Sequence, residues 1–124
     1  MTDKKKLFIS VPMNGRTDEN IKKSMDKMHK LMEAILGKEL EPIQTNINDE
    51  FPKEGNIGVY DLGKSISLLA EADYFIGFGY YIDLLKEYKG CEIEATVADR
   101  YGIPCYLISD ETMAEEILSD LKED

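Results

Sequence analysis

Glu94, in the segment Gly90-Cys91-Glu92-Ile93-Glu94, is the residue of this sequence best placed to do chemistry. Gly90 lets the chain turn tightly where a helix opens, and the free N–H groups of such an opening stabilise a nearby anion. A carboxylate in that first turn is expected to have a lowered pKa and to stay ionised. That state suits attack on an electron-poor carbon. Glutamates are also common in first turns for dipole reasons alone, and Glu92 reads as such a case. Cys91 would be an activated thiol by the same logic. The lone histidine, His29, lies on a distant helix segment and reads as solvated, so no Cys–His pair is expected.

A second set follows the first strand: Ser10-Val11-Pro12-Met13-Asn14-Gly15-Arg16. Gly15 allows close backbone approach, Asn14 both donates and accepts, and Arg16 grips a phosphate or carboxylate. A plain strand-to-helix turn also favours Pro, Asn and Gly, so position rather than composition carries the functional reading. Asp61 and Asp73 look alike but differ in place. Asp73 immediately precedes a strand, at the end opposite a ligand, and reads as structural. Asp61 is placed at the start of the second helix, within reach of the ligand face. Gly79 opens a tyrosine-rich connection in which Tyr80, Tyr81 and Tyr88 can stack on a flat ring, although surface packing explains tyrosines equally well. No His, Cys and carboxylate cluster has metal-ligand spacing, so neither a metal nor a cofactor is expected.

Gly58-Val59-Tyr60-Asp61-Leu62-Gly63-Lys64-Ser65 fits the phosphate-loop pattern. That mechanism needs a strand running directly into the first glycine, and Lys53-Glu54-Gly55-Asn56-Ile57 precedes it instead. Leu62, Ile66 and Leu69 make better sense as a helix face already begun.

The elements that must position these residues alternate along the chain. Strands are expected at Leu7–Val11, Leu40–Ile43 and Tyr74–Phe78, with a helix stop and a fourth strand within Gly102–Ile108, each strand a short apolar run between turn residues. Pro42 suits an edge strand. Thr17 is a good N-cap for a helix whose Ile21, Met25, Met28, Met32 and Ile35 recur at helical spacing up to Gly37. Residues 45–58 form a long polar loop, a length that is often functional. Further helices are marked by Leu62, Ile66 and Leu69, by the stretch from about Cys91 to Tyr101, and by Met113, Ile117, Leu118 and Leu121 in the tail. Alternation of this kind implies one α/β domain over residues 1–124. It would be a three-layer, flavodoxin- or Rossmann-like parallel sheet of four or five strands with helices on both faces. Ligands in such sheets sit beyond the C-terminal strand ends, near a switch in strand order.

The 124 residues suit a single core, and the hydrophobic share of 43% argues against disorder. A net charge of -10 repels phosphate backbones and anionic lipid surfaces, which makes nucleic-acid polymers and membranes poor partners. A small nucleotide stays possible, because one helix N-terminus binds an anion locally. Two cysteines are too few for a disulfide framework, and no stretch approaches the roughly 20 apolar residues of a membrane span. The expected compartment is the cytoplasm.

With these residues in hand, the chain resembles the nucleoside 2-deoxyribosyltransferase-like superfamily, in particular a branch of small bacterial and phage proteins. The marks are Phe8-Ile9-Ser10-Val11-Pro12-Met13-Asn14-Gly15, Asp61 with Leu69-Ala70-Glu71-Ala72-Asp73, and Lys89-Gly90-Cys91-Glu92-Ile93-Glu94-Ala95-Thr96-Val97-Ala98 followed by Tyr101-Gly102-Ile103-Pro104. The family's Gly-Thr-x-x-Glu-x-Gly-x-Ala pattern puts its nucleophilic glutamate at Glu94, with Cys91 in the threonine's place and Thr96 in a glycine's. The resemblance implies cleavage of an N-glycosidic bond in a nucleoside or nucleoside monophosphate, by hydrolysis or by deoxyribosyl transfer. Asp61 lies close to the family's aspartate, which would assist the leaving base or position the sugar. Ser10, Pro12 to Arg16, Gly79, Tyr80, Tyr88, Gly90 and Cys91 would bind substrate, and a homodimer would complete the pocket. The alternative of another class is a non-catalytic nucleotide-binding or sensing module.

Overall fold

The computed structural model of the protein describes residues 4–11, 17–44, 55–78, 89–108 and 111–122. Its elements run β1 (Lys5–Ile9), α1 (Asp18–Leu36), β2 (Leu40–Pro42), α2 (Ile57–Leu69), β3 (Tyr74–Phe78), α3 (Lys89–Arg100), β4 (Cys105–Ile108) and α4 (Glu111–Lys122). The strands pair in parallel in the order β2-β1-β3-β4. The chain thus moves from β1 to one neighbour and then returns to pair β3 on β1's other side. That reversal puts the switch point between β1 and β3.

Alternation along β1 decides which helices cover which face. Leu7 and Ile9 pack with Met28, Leu31 and Met32 of α1, and Ile117 and Leu118 of α4 lie against the same cluster. Phe8 points the other way, into a second cluster with Phe75 of β3, Leu69 of α2 and Ala95 and Ala98 of α3. Its ring stacks on that of Phe75, with centroids 5.7 Å apart. The all-parallel sheet with helices on both faces is the architecture that the alternating strand and helix patterns imply.

Local signals explain most boundaries. Thr17 caps α1, its side chain accepting the Asn20 N–H at 3.1 Å. Gly37 ends the helix with a left-handed φ of 66°, which glycine adopts without a Cβ penalty. Among the described residues β2 pairs only with β1, so Pro42 does sit on an edge. The bounds of β1 and the start of α2 are among those that differ from expectation. β1 begins at Lys5 and ends at Ile9, because Lys5 and Lys6 pair with Leu40 and Glu41 through a backbone ladder indifferent to side-chain polarity. α2 starts at Ile57, inside the stretch expected to be loop, because Asn56 supplies a cap: its Oδ1 accepts the Val59 N–H at 3.2 Å.

Two polar side chains tie this frame together. Asp73 accepts the Lys6 N–H at 2.8 Å and donates its own N–H to the Lys6 carbonyl at 2.9 Å, which is the structural role expected of it. His29 departs from its solvated reading. It is partly buried, and its Nε2–H donates to the Leu40 carbonyl at 2.8 Å, while Glu33 accepts the Leu40 N–H at 2.8 Å. Together they pin α1 to the start of β2. Among the described residues, no helix is long and apolar enough to cross a membrane.

Candidate active site

Ser10 is the first residue beyond β1, and the strand's alternation turns it to the same face as Phe8. Its N–H donates to the Ile76 carbonyl at 2.9 Å, which fixes the backbone between β1 and β3. In a parallel sheet the helices run back against the strands, so α2 and α3 both begin at the C-terminal strand ends. Cys91 and Glu94 then stand three apart on α3, on one side of the helix. With Ala95 and Ala98 they form its buried stripe. Glu94 is only 9% exposed and Ser10 only 2%. The Ser10 hydroxyl donates to Glu94 Oε1 at 2.8 Å. Ser65, from α2, brings a second hydroxyl to the same carboxyl group. Three elements therefore converge on one carboxylate at the switch point.

Burial dominates the electrostatics of this cluster. It pushes the Glu94 carboxyl above its ordinary value of 4.5, and the hydroxyls of Ser10 and Ser65 work in the opposite direction. This overturns the expected lowering. α3 starts at Lys89, so Glu94 is its sixth residue and lies past the free N–H groups, whose influence fades within one turn. Glu92 is the acidic residue that occupies the first turn. Cys91 is corrected likewise. Burial pushes its thiol up, a hydrogen bond with Ser10 opposes the rise, and the charge of Glu94 adds to it. An activated thiolate is not what this environment favours.

Of the residues singled out in the sequence, Ser10, Cys91 and Glu94 are brought together. Gly90 is the second residue of α3 rather than a turn preceding it. Asp61 lies in the second turn of α2, not at its start, and is exposed. It precedes Ser65 by four residues, about 6 Å along the helix axis on the same side, and so lies nearer the mouth of the site. Pro12, Met13, Asn14, Gly15, Arg16, Gly79, Tyr80, Tyr81 and Tyr88 fall outside the described residues. Ser65 was missed. Its one signal in the sequence is the helical spacing from Asp61, which the phosphate-loop pattern spanning both residues hides.

That pattern is not a phosphate loop here. Gly58 through Ser65 lie entirely within α2, where backbone N–H groups past the first turn serve the helix itself. Among the described residues, no three His, Cys, Asp or Glu side chains converge as metal ligands would.

In comparisons with known proteins, no family model matches the chain, and neither a curated protein nor a solved structure does so.

Proposed function

We propose that the protein cleaves the N-glycosidic bond of a small nucleoside or nucleoside monophosphate, with Glu94 as the nucleophile. The observation that carries this reading is the buried Glu94 carboxylate, held at 2.8 Å by Ser10 where ligands of parallel sheets bind. Glu94 would attack the anomeric carbon while the carbon–nitrogen bond breaks and its electron pair leaves with the base, which takes up a proton. Water, or a second base, would then resolve the glycosyl ester, as in retaining glycosidases. Asp61, on the outer side of Ser65, is the proposed helper for the leaving base or the sugar. The resemblance supplies the bond to be cleaved. The geometry supports the choice of Glu94 among 25 acidic residues, since a nucleophile must be held still and away from bulk water. The proposal extends to a homodimer on the same resemblance, and light scattering at assay concentration reads its mass directly.

One observation favours a second reading, a nucleotide-binding module without turnover. Burial raises the Glu94 pKa, and a neutral carboxylic acid donates a hydrogen bond to a ligand rather than attacking it. A panel of ribo- and deoxyribonucleosides and their monophosphates separates the two. Release of free base that disappears in Glu94→Gln supports the enzyme. Tight binding with no base released from any member of the panel assigns the module.

A further inference from the structure

The proposed reaction takes Glu94 through two states, a charged carboxylate in the free protein and a neutral ester in the glycosyl-enzyme. Ser10 meets both. Its hydroxyl donates to Glu94 Oε1 at 2.8 Å from a position only 2% exposed, and its own N–H is fixed to the Ile76 carbonyl at 2.9 Å. The donor is thus held against the same carboxyl group before and after transfer. A hydrogen bond to a charged acceptor is roughly twice as strong as one to a neutral acceptor. Glu94 is itself buried, so bulk water supplies little of that stabilisation in its place. We infer that Ser10 is a positioning residue that makes Glu94 a good leaving group, favouring breakdown of the glycosyl ester over its formation.

This inference rests on the proposed function and adds to it a residue that governs the second step. It is a different role from the substrate contact that the sequence suggests for Ser10. In the first step the Glu94 carboxylate bonds to the anomeric carbon. The carbon–nitrogen pair leaves with the base, which takes up a proton. In the second step water bonds to that carbon and gives up a proton, and the carbon–oxygen pair returns to Glu94. The returning charge develops where burial alone disfavours it, and the hydroxyls of Ser10 and Ser65 oppose that burial. Cys91, on the same side of α3, keeps its proton because burial pushes its thiol up, so it brings no competing negative charge.

The test weighs the two steps against each other. The full chain is mixed with a saturating level of the panel member that yields most base, at a pH above the Glu94 titration of every variant. It is quenched in acid at steady state, and intact mass gives the ratio of glycosylated to free protein. That ratio should rise about tenfold in Ser10→Ala, as expected when a charge-assisted hydrogen bond is lost from one of two states. Ser10→Thr, which keeps the hydroxyl, should return it toward the parent value. Ser10→Cys, a weak donor of similar size, should raise it in part, and it serves where Ser10→Ala fails to fold. Carbon NMR of glutamate-labelled protein, assigned with Glu94→Gln, should show Glu94 titrating at higher pH in both variants, with or without turnover. A ratio unchanged or lowered while the parent releases base overturns the inference and leaves the proposed function standing. A Glu94 titration that does not move overturns it as well. No base released by the parent from any panel member sinks both.

Discussion

Ser10 and Glu94 lie 84 positions apart in the chain and share a buried hydrogen bond of 2.8 Å. The bond exists because two independent periodicities agree. The two-residue alternation of β1 turns Ser10 to the α2 and α3 face, and the helical spacing of Cys91, Ala95 and Ala98 turns Glu94 toward the sheet. The two residues come from distant parts of the sequence, so the fold itself assembles the site.

The raised pKa of Glu94 has a definite sign in stability. The folded protein holds this proton more tightly than the unfolded chain, so the group's contribution is complete below 4.5 and is lost as pH rises through the folded-state value. Subtracting the unfolding free energy of Glu94→Gln from that of the parent isolates the effect. The difference should fall across this window, by about 1.4 kcal/mol for each unit between folded and unfolded pKa. Denaturant titrations at a series of pH values read it. A difference that grows with pH would mean that the carboxyl is stabilised as an anion overall.

Ser65→Ala removes one of the two hydroxyls that oppose the burial penalty. The acid limb of the pH–rate profile for base release should move to higher pH, because more alkaline conditions are needed to ionise Glu94. Stability should fall by about 1 kcal/mol, the ordinary worth of one intramolecular hydrogen bond. An acid limb that stays in place would remove Ser65 from the site.

Gly77 lies on β3 beside Ser10, and the two share the face that carries Phe75. A Cβ added there would sit 3.0 Å from Phe75 Cε1, 3.2 Å from Phe75 Cζ and 3.5 Å from Ser10 Cβ. The Phe75 ring is fully buried and stacked on Phe8, so it has little room to withdraw. Gly77→Ala should cost about 1–3 kcal/mol in urea unfolding, as overpacking does. Base release should follow stability, since 3.5 Å from Ser10 Cβ is ordinary van der Waals contact and leaves Ser10 in place. A fully active, equally stable Gly77→Ala would show that the face has slack.

How much was legible in the sequence follows from which forces were local. Thr17, Gly37 and the Tyr74–Phe78 run announced their elements because caps and short apolar strands are written in neighbouring residues. The start of α2 was obscured by Gly55 and Gly58, turn residues that here flank or enter a helix capped by Asn56. The ionisation of Glu94 was misread through a shift of helix register. A start at Lys89 instead of about Cys91 carries the carboxylate from the dipole's reach into the core. His29 and Ser65 were misjudged or missed for a shared reason. Each is defined by a contact with another element, Leu40 in one case and Glu94 in the other, and such contacts leave no mark in adjacent residues.

Covalent capture on Glu94 tests the central claim most directly. The protein is mixed with the nucleoside or monophosphate that yields the most free base, quenched in acid within a turnover, digested and weighed by mass spectrometry. The peptide carrying Glu94 should gain the mass of the sugar or sugar phosphate, and the gain should be absent in Glu94→Gln. Base release that persists in Glu94→Gln, or an adduct on any other residue, would contradict the account.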